Sequence, residues 1–269
     1  MRRHTTIEKA VGETPLQALT RIRDRDHIPD TIPLAYAGRL DPMASGKLLV
    51  LIGDECKKQS AYHGFDKAYD FEVLLGFQSD TGDILGIAER EGPSRAPDTA
   101  SLAACIKKLE GPLALPYPPF SSKTVRGKPL FLWTLEKRLD EIEIPTAATN
   151  LYQLAYHGHH TISAPALSTY IRERIDRIPP VTEASKALGE DFRRAPIRAQ
   201  WQELLQSEHD YTVLKMSAIV SSGTYIRSLA PHIATLLGTT GLAYSIHRTH
   251  IGRYHPFPFT RTGLWYPNF

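Results

Sequence analysis

Between residues 38 and 52 the chain runs Gly38-Arg39-Leu40-Asp41-Pro42-Met43-Ala44-Ser45-Gly46 and then Lys47-Leu48-Leu49-Val50-Leu51-Ile52. The second half is a short apolar block of the kind that forms a buried strand. A single carboxylate therefore sits at the mouth of a rigid support, with an arginine nearby, a proline after it and a glycine on either side. Pro42 biases Asp41 away from the helical region toward extended geometry. The glycines permit backbone angles and close approaches that a β-carbon forbids. Taken alone, these residues describe either a turn whose carboxylate bonds its own backbone or a reactive group held in place by its neighbours.

Such a support needs a core behind it. With 269 residues, 42% of them hydrophobic, the chain can build one large domain or two small ones. Lysine and arginine number 32 against 29 aspartates and glutamates, a formal charge of +3. That balance permits nucleic-acid binding through a local patch without demanding it. Cys56 and Cys105 offer neither metal-ligand spacing nor a disulfide framework. Met1-Arg2-Arg3-His4-Thr5 lacks an apolar signal core, and no stretch approaches transmembrane length. A soluble cytoplasmic protein that touches no membrane is expected. The acidic loop from Asp80 to Gly86 lacks the ligand count and spacing of a calcium loop, so no metal is expected either.

Periodicity supplies the elements. Thr14 and Pro15 read as the cap and first residue of a helix, with Leu16, Leu19 and Ile22 keeping helical spacing through Ile28. Residues 66–76 alternate, which puts Tyr69, Phe71, Val73 and Leu75 on one strand face. Tyr69 is then either a core aromatic or the wall of a cavity. Asp98 or Thr99 caps a second helix with the stripe Leu102, Cys105, Ile106 and Leu109, ended by Gly111-Pro112, and Cys105 belongs to its core face. Pro116 to Leu130 is rich in proline and aromatics and carries Lys123, Arg126 and Lys128. It reads as an exposed loop suited to phosphates and bases, or as a charged loop without a partner.

Residues 141–156 have β character, and 165–209 are helical in pattern, with Leu167, Tyr170, Ile171, Ile175 and Ile178 in one segment and Trp201, Leu204 and Leu205 in another. The arginines there, Arg172, Arg174, Arg177, Arg193, Arg194 and Arg198, either hold an RNA arm or pair with Glu173, Asp176, Glu190 and Asp191 on a solvated surface. Residues 211–230 read strand, tight turn, helix, with Thr224 near the cap and Arg227 in the first helical turn. A cation there opposes the helix macrodipole, so a partner must justify it.

The string from Gly38 to Gly46 resembles the catalytic signature of the pseudouridine synthases, most closely the TruB family. Three further motifs agree in order. Lys67-Ala68-Tyr69 before Gly76-Phe77-Gln78-Ser79-Asp80-Thr81-Gly82-Asp83 is similar to that family's second motif, in which the tyrosine faces the target base. The segment carrying Lys123, Arg126 and Lys128 is similar to one that precedes a loop closing on RNA. Ser221-Ser222-Gly223-Thr224-Tyr225-Ile226-Arg227 resembles the string whose arginine pairs with the catalytic aspartate.

The resemblance implies an α/β (α+β) fold with a mixed, mainly antiparallel central sheet flanked by helices. It implies Asp41, Tyr69 and Arg227 as the catalytic set, with Arg227 holding Asp41 charged and oriented. RNA contacts are implied at Lys9, Tyr36, Gly38, Arg39, Lys67, Lys123, Arg126, Lys128, Thr224, Ile246 and Arg248. Two departures stand out: Ala10 replaces a proline of the opening motif, and Tyr36 occupies the place of a histidine that wedges into the RNA loop. The likeness spans roughly Lys9 to Gly252, with the helical stretch at about 160–209 as an insertion. The chain stops at Phe269 after a proline- and aromatic-rich tail, and no C-terminal PUA domain is expected, only one catalytic domain at 1–269. The implied activity is conversion of uridine to pseudouridine at position 55 in the TΨC loop of tRNA, by a monomer without cofactor or metal. The alternatives are a synthase for another RNA, or a module that binds and folds tRNA.

Overall fold

The computed structural model describes residues 3–179, 193–206, 209–257 and 263–266. In chain order these form β1 (His4–Lys9), α1 (Pro15–Arg25), β2 (Leu34–Ala37), β3 (Ala44–Ile52), a 3-10 stretch (Gly53–Tyr62), β4 (Asp66–Leu75), β5 (Phe77–Ser79), β6 (Ala88–Arg90), α2 (Thr99–Leu109) and β7 (Gly111–Pro116). There follow β8 (Thr124–Val125), β9 (Lys128–Pro129), α3 (Leu130–Leu135), a 3-10 turn (Leu139–Glu141), β10 (Thr146–Ser163), α4 (Ala164–Asp176), α5 (Arg194–Leu204), β11 (Asp210–Val220), α6 (Ile226–Leu236), β12 (Gly241–Pro256) and β13 (Gly263–Tyr266). Glu190 and Asp191, named above as partners for the arginines, lie outside the described residues.

Among these residues nine strands make one sheet in the order β1-β3-β12-β4-β11-β10-β7, with β2 added to β3 and β13 to β12. Every pairing is antiparallel except that of β3 with β12, where Ala44, Ser45 and Gly46 run alongside Ile246, His247 and Arg248. The sheet is thus mixed and mainly antiparallel, as expected. The parallel pairing carries the site, because it draws the end of the Asp41 turn onto a strand two hundred residues later in sequence. Gly46 makes this approach possible: a β-carbon there would stand 2.3 Å from the Arg248 carbonyl oxygen.

The main core lies between the sheet and α2, α4, α5 and α6, and includes Phe71, Val73, Leu75, Cys105, Leu109, Leu167, Ile171, Trp201, Leu229 and Ile233. A second cluster, Ile7, Ala18, Leu19, Ile22, Leu48 and Val50, seats α1 against β1 and β3. Burying such side chains is what holds α1 in place, at about 25 cal/mol per Å² of apolar surface removed from water. As expected, Thr14 caps α1: its hydroxyl accepts from the Gln17 N–H, and the Gln17 side chain returns a bond to the Thr14 N–H. The helix ends at Arg25 rather than Ile28, because His27 adopts a left-handed backbone (φ 50°) and breaks the ladder. The expected strand at 141–156 begins at Thr146 and runs on to Ser163, so the helical stretch after it starts at Ala164. No helix of the described residues is long and apolar enough to cross a membrane.

Candidate active site

The Asp41 turn closes on itself through the Ala44 N–H donating to the Asp41 carbonyl (3.0 Å), and the Gly12 N–H holds the Pro42 carbonyl (2.8 Å). Arg248 does more. This side chain, 1% exposed, donates from Nε to the Lys47 carbonyl (2.7 Å) and from Nη2 to the Gly38 carbonyl (2.8 Å). A planar guanidinium thus spans both ends of the loop that carries Asp41. Lys9, also buried, caps the carbonyls of Ala10 (2.9 Å) and Glu13 (2.7 Å). Lys67 is buried as well, bonding the Phe65 carbonyl, with the Ser222 hydroxyl 3.4 Å away. Burial lowers both lysines to about 8, and the positive charge of Arg248 pushes Lys67 the same way.

From 186 residues further along the chain, α6 brings Arg227. Its Nε donates to Asp41 Oδ2 at 2.7 Å, Nη1 to the Thr81 carbonyl at 2.8 Å and Nη2 to the Phe120 carbonyl at 3.1 Å. A second carboxylate, Asp83 Oδ2, stands 3.7 Å from Nε. Two acids facing one buried cation answer the question raised by an arginine in the first turn of a helix. Against the cost of burial, these acids keep the Arg227 guanidinium above its ordinary value, so it remains charged. Asp83 also accepts from the Thr81 hydroxyl (2.7 Å) and the Leu85 N–H (2.9 Å). Burial nevertheless pushes it up to about 6.

Asp41, whose side chain is 32% exposed, looks into a cavity of about 530 Å³. Tyr69 on β4 lines the same space, together with Gly38, Arg39, Lys67, Thr224, Arg227, Ile246 and Arg248. The structure thus brings most of the residues singled out in the sequence to one concave surface, of the size that takes a small ligand or a nucleotide. It does not bring all of them. Lys9 is outside the lining, buried against the carbonyls of Ala10 and Glu13, whereas Lys67 and Arg248 line the cavity with their donors directed largely to backbone carbonyls. Tyr36 is not at the cavity: its ring packs on the α1 side, against the cluster of Ile7, Leu19 and Val50. Lys123 and Arg126 are exposed on the loop around β8 and β9, away from the cavity lining. Lys123 lies 5.0 Å from the Tyr117 ring centroid, and Lys128 pairs with Glu136. Thr224 precedes the helix cap, which is Tyr225, and its hydroxyl bonds the Ser221 carbonyl (3.1 Å).

Some lining residues carried no sequence signal. Asp83 closes the second motif and belongs to the acidic loop, but neither marks it as a partner of Arg227. Its role follows from the fold, since a β-carbon on Gly82 would meet the Arg227 carbonyl oxygen at 2.2 Å, and the glycine lets the Asp83 loop come that close. His63 and Ser222 meet at one edge of the cavity, where the Ser222 hydroxyl bonds the His63 carbonyl. Arg193 also lines the space, from the residue before α5. Of the other arginines in this stretch, Arg198 pairs with Asp176 as the pairing alternative has it, while Arg174 lies over the Tyr170 ring instead. Among the described residues no three His, Cys, Asp or Glu side chains gather as metal ligands.

Residues 30–164 match the family described as TruB family pseudouridylate synthase (N terminal domain). The tRNA pseudouridine synthase B of Xanthomonas euvesicatoria pv. vesicatoria (strain 85-10) is 28% identical over 228 residues, covering 81% of this chain and 70% of that protein. Its namesake from Aromatoleum aromaticum is 27% identical over 249 residues, covering 93% of this chain and 63% of that protein. Among solved structures, a chain in the crystal structure of a Cbf5-Nop10-Gar1 complex superposes with a TM-score of 0.53 at 15% identity, covering 93% of this chain and 48% of its own length. That last likeness shows the fold alone, and the chain spans about two thirds of these curated relatives and about half of the structural neighbour. With the family match taking in half of its length and the motifs of that family gathered at one cavity, the chain belongs to the TruB family of pseudouridylate synthases.

Proposed function

We propose that this protein converts uridine to pseudouridine in tRNA, at position 55 of the TΨC loop, working as a monomer whose described residues form part of a single catalytic domain. The observation that carries the reading is the 2.7 Å contact between Arg227 Nε and Asp41 Oδ2 at the wall of a cavity also lined by Tyr69. The reaction breaks a carbon-nitrogen glycosidic bond, turns the base within its pocket and rejoins it to the ribose through carbon; that carbon loses a proton and the nitrogen released from the sugar gains one, so the product is an isomer of the substrate. It calls for a carboxylate at the sugar or base, an enclosing aromatic wall, and a fixed cation beside the carboxylate. Asp41, Tyr69 and Arg227 are suited to these parts in turn. The target base must leave its stack to enter, which a tRNA loop allows at lower cost than a duplex. The names of the curated relatives support tRNA as the substrate.

The test is direct. Purified protein incubated with unmodified tRNA is expected to form pseudouridine at a single mapped position, and Asp41→Asn and Asp41→Ala to form none; product from either variant would overturn the assignment of Asp41. Because Tyr36 packs away from the cavity rather than at its mouth, ribosomal RNA and an isolated T-arm belong in the same assay. Preference for another RNA would replace the substrate while keeping the reaction.

A further inference from the structure

The sequence reads the segment between β10 and β11 as an insertion whose arginines either hold an RNA arm or pair on a solvated surface. The segment sends one side chain to the cavity. Arg193, immediately before α5, lines the same space as Asp41 and Tyr69. Its guanidinium lies over the Phe120 ring, with Cζ 4.2 Å from the ring centroid. It pairs with Asp80 through Nη1 to Oδ2, and through Nη2 to Oδ1 at 3.3 Å. Neither partner is sealed from solvent: the side chains are 21% and 34% exposed.

Both supports are themselves anchored. The Phe120 carbonyl accepts from Arg227 Nη2, so the platform under Arg193 is tied to the cation that holds Asp41. Asp80 Oδ1 accepts from the Ile87 N–H at 2.9 Å, which fixes it to the loop between β5 and β6. The Arg193 backbone is left-handed, φ 58°, a conformation that side-chain-bearing residues seldom hold. An arginine serving only as a surface ion pair needs neither an aromatic platform nor a place in the cavity wall. A guanidinium has five N–H donors in one plane, and its two bonds to Asp80 leave donors for a further acceptor. In a nucleic acid the acceptor with matching charge and geometry is a phosphate.

We propose that Arg193 is a substrate-positioning residue, gripping a backbone phosphate of the RNA beside the nucleotide that enters the cavity. Asp80 holds the guanidinium over Phe120 until the phosphate shares or replaces it, an exchange of one anion for another. The inference rests on reading the cavity as an RNA-modifying site.

Its test separates the two. RNA binding is titrated against NaCl for the full chain, for Arg193→Ala, Arg193→Lys and Asp80→Asn, and for each combined with Asp41→Asn, alongside single-turnover pseudouridine formation. Arg193→Ala is expected to weaken binding about tenfold and to reduce the slope of log K against log salt by about 1, with the rate at saturating RNA within about twofold. Arg193→Lys restores the slope and part of the affinity. Asp80→Asn, which removes the partner but keeps the cation, leaves the slope unchanged. Equal loss in Arg193→Ala and Asp80→Asn with an unaltered slope would make the pair a structural strut and overturn the proposal, as would wild-type binding by Arg193→Ala. If no RNA is modified at all, the reading of function fails, while the slopes measured in the Asp41→Asn background still decide the part played by Arg193.

Discussion

Arg227 ties the structure to the acid proposed for the chemistry. It is buried at the start of a helix and satisfied by two carboxylates and two carbonyls, so removing it strands Asp83 without its cation. Breaking a buried pair in this way costs on the order of 3–5 kcal/mol. Asp83 makes the folded protein sensitive to pH. Its carboxyl is pushed from an ordinary 3.8 to about 6 by burial, partly offset by Arg227. Between those two values the folded chain holds a proton that the unfolded chain has released. This contribution to stability is therefore present below about pH 4 and is lost as pH rises toward 6, in total about 3 kcal/mol. Urea unfolding of wild type and Asp83→Asn from pH 4 to 7 is expected to show the wild type losing ground to the variant as pH rises. Parallel curves would mean that Asp83 is not shifted.

At the level of elements, the site depends on how closely α6 approaches the loop after β5. Gly82 sets that distance: its φ is +74°, and a β-carbon would stand 2.2 Å from the Arg227 carbonyl oxygen. Gly53 has a similar φ of +65° with no atom near the added carbon. Gly53→Ala is therefore expected to cost about 1 kcal/mol and to leave turnover unchanged, the price of backbone strain alone. Gly82→Ala adds the clash and is expected to cost about 3 kcal/mol or more, and to slow turnover about tenfold or more by moving Arg227 from Asp41. Thermal unfolding and single-turnover rates on the two variants make the comparison. Equal effects would remove the close approach from the account.

Across the whole molecule, the groups proposed as catalytic are distinct from the exposed cations. Asp41, Tyr69 and Arg227 meet at the cavity, while Lys123 and Arg126 lie exposed on the loop around β8 and β9. Exposed cations of that kind contribute to affinity through phosphate contacts and counterion release. Lys123→Ala and Arg126→Ala are each expected to weaken binding of unrelated RNAs by similar factors and to lower the salt slope by about 1, with little change in the rate at saturation. A loss confined to one RNA sequence, or a fall in saturating rate with no change in slope, would instead place these side chains in base recognition or in the chemistry.

Local chemistry made much of this legible in the chain itself. Turn residues around Asp41, alternation from Tyr69 to Leu75, the Thr14-Pro15 cap and the misplaced cation at Arg227 are effects of neighbours within a few residues, and they appear where the sequence puts them. The ordered motifs supplied the pairing of Arg227 with Asp41. What the chain alone did not disclose were contacts made between distant segments: Asp83 as the second acid on Arg227, Arg248 as the clasp of the Asp41 loop, Lys9 buried outside the cavity lining, Tyr36 turned toward α1, and Arg193 laid on Phe120. None has a local signature, because burial and partnership are properties of what packs against a residue. The parallel joining of β3 to β12, the seating of α6 on the sheet, the packing of α1 on β3 and the placing of α5 beside the cavity decided them.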